Sequence, residues 1–190
     1  MNFALKLTVV FCAGLLYWGD GHAQTLVPFH KPPPVQVLGF VIDVSTLQEV
    51  QAKSAQRENP LVQIAEPLTG GTELRSDEGL EGQSHGDAEL SSVVYLFDKN
   101  QKLAGVLMRI GEERYAPAYA YLARQYHLAH SKPSQTNLDN QAPVRFQAPG
   151  VTIELAPPDE DGKVRVIYLR DDFYQKVVGK LQKRSYRQLG

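Results

Sequence analysis

Apolar positions are densest between Ser91 and Ile110, where the runs Val93–Phe97 and Leu103–Ile110 flank the polar joint Asp98-Lys-Asn-Gln-Lys102. β-Branched and aromatic residues suit a pleated surface, and a short stretch of Asp, Asn and Lys lets a chain reverse, so the pattern predicts a β-hairpin. Alternation places Ser92, Val94 and Leu96 on one face of the first strand, and Val93, Tyr95 and Phe97 on the other. Both faces are apolar. The hairpin is therefore expected mid-sheet, under a covering layer, and not at an edge.

Upstream, Val35–Val44 reads as a strand or as an extended entry to a helix. Ser45 with Gln48, or Thr46 with Glu49, has the spacing of a capping box. Leu47, Val50 and Ser54 then share the face of a short helix that Asn59-Pro60 ends, and Leu61–Ile64 reads as a short strand. Residues 66–90 hold five glycines and almost no apolar periodicity, which predicts either a binding loop or a partly strand-like excursion.

Beyond the hairpin, Tyr115, Ala118, Tyr119, Leu122 and Tyr126 recur at helical spacing, with Pro117 tolerated in the first turn of a helix running to about His127. Ser131–Asn140 reads as loop. Val144–Gln147, Val151–Ala156 and Val164–Leu169 alternate as strands, joined through Pro149-Gly150 and Pro157-Pro-Asp-Glu-Asp-Gly162. Asp171 or Asp172 is expected to cap a final helix with the stripe Phe173, Val177, Val178 and Leu181. The order predicts an α+β fold: an antiparallel sheet with helices packed on one face, its halves loose versions of one helix-plus-hairpin unit.

The N-terminus changes the picture of where this domain works. Lys6 precedes the 12-residue apolar run Leu7–Trp18, shorter than the roughly 20 residues of a spanning helix. Gly21-His22-Ala23 offers small residues for a cut before Gln24, so residues 1–23 read as a signal peptide. Cys12 follows Phe11 inside the apolar run, a poor setting for acylation. Residues 24–34, with Pro28 and Pro32–Pro34, read as a flexible lead-in to a single domain over 35–190. Cleavage would remove the only cysteine, and an exported domain without disulfides fits a bacterial periplasm.

A net charge of −1 carries no global bias toward nucleic acid. Local bias is stronger: residues 66–90 hold seven acids against Arg75, and residues 163–190 hold eight bases against Asp171 and Asp172.

Several short constellations contain chemistry-bearing residue types. Ser84-His85-Gly86-Asp87 holds the residues of a catalytic triad, but triads are assembled from separate parts of a fold, and an ordinary loop is expected. His127 and His130, at i and i+3 on the end of a helix, could both face a metal with Asp139 as a third ligand, but no other ligand spacing supports a site, and surface histidines at a helix end are expected. Asp159-Glu-Asp161-Gly162 reads as a hairpin turn, and Glu112-Glu113 as a pair of diverging carboxylates. Tyr115, Tyr119, Tyr121 and Tyr126 crowd one helix, with Tyr121 pointing away from the others' stripe. Nothing predicts a cofactor or a metal.

Gly39-Phe40-x-Ile42-x-x-Ser45-Thr46-Leu47-x-x-Val50, followed by Tyr95-Leu-Phe-Asp-Lys-Asn-Gln-Lys-Leu-Ala-Gly-Val106 and the tyrosine-rich helix, resembles small exported bacterial helix-plus-hairpin domains. These are the outer-membrane assembly adaptor and β-lactamase-inhibitor-like group and the periplasmic immunity proteins. The resemblance spans Val35–Tyr126, carries no site residues with it, and implies a protein-binding role. With the acidic stretch it sets the expectation of a non-enzymatic periplasmic inhibitor or immunity-type protein that meets its partner through Glu73, Asp77, Glu78, Glu81 and Asp87. The alternative is an envelope adaptor reaching a membrane through Lys176, Lys180, Lys183, Arg184 and Arg187. A small hydrolase is the third expectation.

Overall fold

A computed structural model of the chain describes residues 33–65, 67, 70–78, 80, 83–86, 88–130 and 142–177. The stretch expected to be a signal peptide and most of the expected lead-in lie outside these residues. So do Glu81, Asp87, Asp139, Lys180, Lys183, Arg184 and Arg187.

The described chain opens with β1 (Gln36–Val37) and β2 (Phe40–Val41), an antiparallel pair turned by Leu38 and Gly39 at φ +52° and +80°. Two successive left-handed residues make the tight hairpin turn that matches strand twist. Leucine rarely adopts that conformation, which is why Val35–Val44 reads as one extended piece in sequence while the backbone doubles back.

Helix α1 (Leu47–Gln56) begins at Thr46, and of the two spacings it is Thr46 with Glu49 that forms the capping box. The Thr46 hydroxyl accepts from the Glu49 N–H at 3.2 Å, and the Glu49 carboxylate accepts from the Thr46 N–H at 2.9 Å. Thr46→Ala is expected to cost about 1 kcal/mol in urea denaturation, the usual worth of such a cap, with Thr46→Ser restoring most of it.

Next come β3 (Val62–Gln63) and β4 (Glu73–Ser76), then a small hairpin of β5 (Ser84–His85) and β6 (Ala88–Glu89). The glycine-rich stretch 66–90 is thus a strand-bearing excursion. The predicted central hairpin is β7 (Ser92–Phe97) and β8 (Leu103–Gly111). Its turn is closed by Asp98, whose Oδ1 accepts from the Asn100 and Lys102 N–H groups at 2.8 and 3.0 Å. A single 3₁₀ turn at Glu112–Arg114 leads into α2 (Tyr115–Gln125). β9 (His127–His130), β10 (Val144–Ala148), β11 (Val151–Leu155) and β12 (Lys163–Arg170) follow, and residues 171–177 are helical.

The main sheet has eight strands in the order β3-β4-β7-β8-β12-β11-β10-β9, every neighbouring pair antiparallel. That order reads the same from both ends. α1 is followed by β3, β4, β7 and β8, and α2 by β9, β10, β11 and β12, so each half is a helix followed by sheet strands. The halves join where their last strands pair, Arg109 opposite Arg165. The α+β class and the antiparallel sheet are as expected.

Val93, Tyr95, Phe97, Val106, Met108, Val166 and Tyr168 face α1 and α2 in one buried cluster, with Val50, Ala118 and Leu122 from the helices. Phe40 packs edge-on to Tyr95, ring centroids 5.5 Å apart. Leu96, Leu107, Ile167 and Leu169 lie on the opposite face and pack with Phe173, Tyr174 and Val177. α1 and α2 therefore share one face, while the 171–177 segment covers apolar surface on the other. This is the reason both faces of the central hairpin are apolar. Asp171 and Asp172 lie within the helical segment instead of capping it: Asp171 accepts from Thr152 Oγ1 at 2.8 Å, and Asp172 pairs with Arg170 at 2.7 Å.

Candidate functional site

The β3 edge of the sheet brings part of the acidic stretch to one place. The buried Ser76 hydroxyl shares its one proton between two acceptors, Asn59 Oδ1 just past α1 and the Glu78 carbonyl at 2.8 Å. These bonds fix the exit of α1 against the end of β4. Beside them runs a groove of about 480 Å³ lined by Pro60, Val62, Ile64, Arg75, Asp77 and Glu78 among others. Val62 is 68 % exposed on a two-residue edge strand, an unusual setting for a large apolar side chain.

The acidic residues singled out from sequence separate here. Asp77 and Glu78 are exposed at the groove, with Asp77 paired to Arg75 at 2.8 Å. Glu73 is 2 % exposed, because β4 places it opposite Leu96 inside the sheet. It is not a surface group for a partner. In the basic set, Lys176 is exposed with its ammonium 5.7 Å from the Phe173 ring centroid.

The second concentration of polar groups lies at the far half of the sheet. Ser84 and His85 are successive residues of β5, so one is exposed and the other buried, and they point to opposite sides. His85 Nε2 lies 2.6 Å from the Tyr168 hydroxyl. Its ring meets Tyr121 edge-on at 4.9 Å and Tyr168 at 5.5 Å. Among the described residues its Nδ1 finds no hydrogen-bond partner. Burial pushes the imidazole down to about 4, so His85 is held neutral. Burial also pushes the Tyr168 phenol far above its ordinary value. The Tyr126 ring stands edge-on to that of Tyr168, with centroids 6.1 Å apart.

The stretch expected to be an ordinary loop thus enters the β5–β6 hairpin and buries His85 against Tyr121 and Tyr168, while Asp87 lies outside the described residues. Tyr126 ends α2 in extended conformation, which takes it off the helical stripe suggested by its spacing. His127 and His130 follow on the strand β9, not on a helix end, so the helical spacing that would have directed both toward one metal is lost. No group of three or more His, Cys, Asp or Glu is placed to hold a metal among the described residues. Asp159 closes the β11–β12 turn by accepting from the Asp161 and Lys163 N–H groups at 3.1 and 2.9 Å, and it pairs with Arg109. That turn is the hairpin expected from sequence.

Sequence reasoning missed the pairing of His85 with Tyr168. The available signal was one histidine flanked by glycine and several tyrosines 30 or more residues away, and nothing in that spacing joins them. No helix among the described residues is long and apolar enough to cross a membrane. No family model, curated protein or solved structure matches this chain.

Proposed function

We propose that this chain is a non-enzymatic protein-binding domain of the bacterial envelope, of the inhibitor or immunity kind, which holds its partner at the β3 edge. The exposed Val62 on β3, the end strand of the sheet among the described residues, carries this reading. An open edge offers backbone hydrogen bonds to an added strand, and an apolar side chain beside a groove supplies an anchor. Asp77 and Glu78 rim that groove, so the matching surface is basic, and opposite potentials raise the encounter rate and select among partners. Export through residues 1–23 places the domain in the periplasm in this reading. The burial of His85, the one histidine in the triad-like stretch, supports binding over hydrolysis.

Affinity capture from envelope extract with C-terminally tagged protein, followed by kinetics on the captured partner across a salt series, tests the proposal. Replacing Asp77 and Glu78 with serine is expected to slow association about three- to tenfold at low salt and leave dissociation nearly unchanged. Val62→Lys is expected to act on dissociation instead, since a charged residue on an edge strand blocks strand addition. If neither change alters binding to the captured partner, the β3 edge is not its site.

A further inference from the structure

A cavity of about 770 Å³ lies between the β1–β2 hairpin, the C-terminal end of α2 and β10, away from the acidic groove. Its volume is in the range of small-ligand pockets. The walls are aromatic and rigid. Tyr121 is backed by His85 and by Gly86, where any Cβ would stand 3.1 Å from the Tyr121 ring, so the β5–β6 turn lies flat against it. Tyr126 is backed by Tyr168 in the same way. Gly86 at φ +63° thus has two reasons to be glycine, the turn and the ring.

The polar groups around the opening are amides, one imidazole and the tyrosine phenols, and one of the amides, Gln147, is already engaged with Ala148, Val151 and Asp171. Gln36, Gln125 and His127 line it, and none of these side chains is taken up by a hydrogen bond to another described residue. Among the described residues no acid, lysine or arginine lines the cavity. An ionised ligand would therefore lose hydration there with no carboxylate, ammonium or guanidinium to compensate it, and a purely apolar one would leave the amides unpaired. Amides and phenols both donate and accept, as do the hydroxyls of a sugar. Tyrosine rings offer flat apolar faces to the C–H faces of a pyranose, with a polar tip at their rim.

We propose that this cavity binds a neutral oligosaccharide, packed on the rings of Tyr121 and Tyr126 and hydrogen-bonded by Gln36 and Gln125. The site is separate from the β3 edge and does not rest on the protein-binding reading. The Tyr126 hydroxyl, like any phenol, can donate to or accept from a sugar hydroxyl.

Calorimetric titration of the full chain with cellotriose, maltotriose and triacetylchitotriose up to about 10 mM tests this, since a site worth having should show a dissociation constant of about 1 mM or below. At least one of the three is expected to bind. Tyr126→Phe, which keeps the ring and removes the hydroxyl, is expected to weaken binding about tenfold. Gln125→Ala, at an exposed helix end, is expected to weaken it about fivefold and keeps the test open if Tyr126→Phe does not fold. Lys176→Ala is expected to bind as the parent does. Failure of all three sugars to bind at that concentration overturns the proposal. So does binding that neither variant weakens, or tighter binding of a proline-rich peptide than of any of the sugars.

Discussion

Between pH 6.5 and pH 4 this protein is expected to lose about 3 kcal/mol of folding stability through one residue, His85, which folding pushes from 6.5 down to about 4. The cause is desolvation. His85 is 5 % exposed, ringed by Tyr121 and Tyr168, and among the described residues no carboxylate hydrogen-bonds it. Above pH 6.5 both the folded and unfolded chains hold the imidazole neutral, and its contribution is fully present. As the pH falls below 6.5 the unfolded chain takes up the proton first, so stability falls by about 1.4 kcal/mol per pH unit. The loss levels off near pH 4, where the folded protein protonates as well.

Urea denaturation at several pH values, followed by circular dichroism, reads this slope. His85→Gln keeps a polar group beside Tyr168 but does not titrate. The variant is expected to be less stable at pH 7 by about 1 kcal/mol and nearly flat between pH 6.5 and pH 4. Losses below pH 4 from carboxylates are common to both proteins and cancel in the difference. Asp98 is one of these: burial raises it, but the Lys102 and Asn100 N–H groups and the Arg170 guanidinium outweigh that and hold it below its ordinary value. Equal slopes in parent and variant would show that His85 is not the titrating group.

Arg170 is the second position of large effect. At the end of β12 its guanidinium hydrogen-bonds Asp43 before α1, Asp98 in the β7–β8 turn at 3.2 Å, and Asp172 at 2.7 and 3.1 Å. It also lies 4.7 Å from the centroid of Phe173. Side-chain exposure is 18 % for Arg170 and 8 % for Asp98, so this pair is largely out of water. Removing one partner of such a pair costs more than the pair contributed, because the other charge stays desolvated.

Arg170→Met keeps the stem against Phe173 and is expected to cost about 2 to 3 kcal/mol in urea denaturation, below the range for a fully buried pair. Arg170→Lys is expected to recover less than half, since a point charge cannot serve carboxylates in several directions. Combining Arg170→Met with Asp98→Asn should return about 1 kcal/mol, because asparagine still accepts from the Asn100 and Lys102 N–H groups. A loss under about 0.5 kcal/mol in Arg170→Met would mean that these contacts behave as an ordinary surface ion pair.

The sequence by itself determined the local parts. Period-two alternation located the β7–β8 hairpin and the residues on each of its faces, because side chains in a strand must alternate whatever the strand pairs with. The three later strands and the Thr46–Glu49 cap were readable for the same reason: each depends on residues a few positions apart. The acidity of 66–90 was equally plain, and Asp77 and Glu78 do reach the surface.

Tertiary structure decided what depends on distant partners. Leu38 takes a left-handed turn that its own preference disfavours, and α2 stops at Gln125 because Tyr126 and His127 leave the helix for the β9 edge. Glu73 is drawn into the sheet by its pairing with Leu96, against its charge. His85 meets Tyr168 across 83 residues, and Arg170 meets Asp43 across 127. Such contacts form only once the two halves join at β8 and β12, and no pattern within either half specifies them. The physical reason is that spacing along a chain constrains neighbours in a strand or helix, while burial and charge pairing across a sheet are set by which strands lie side by side.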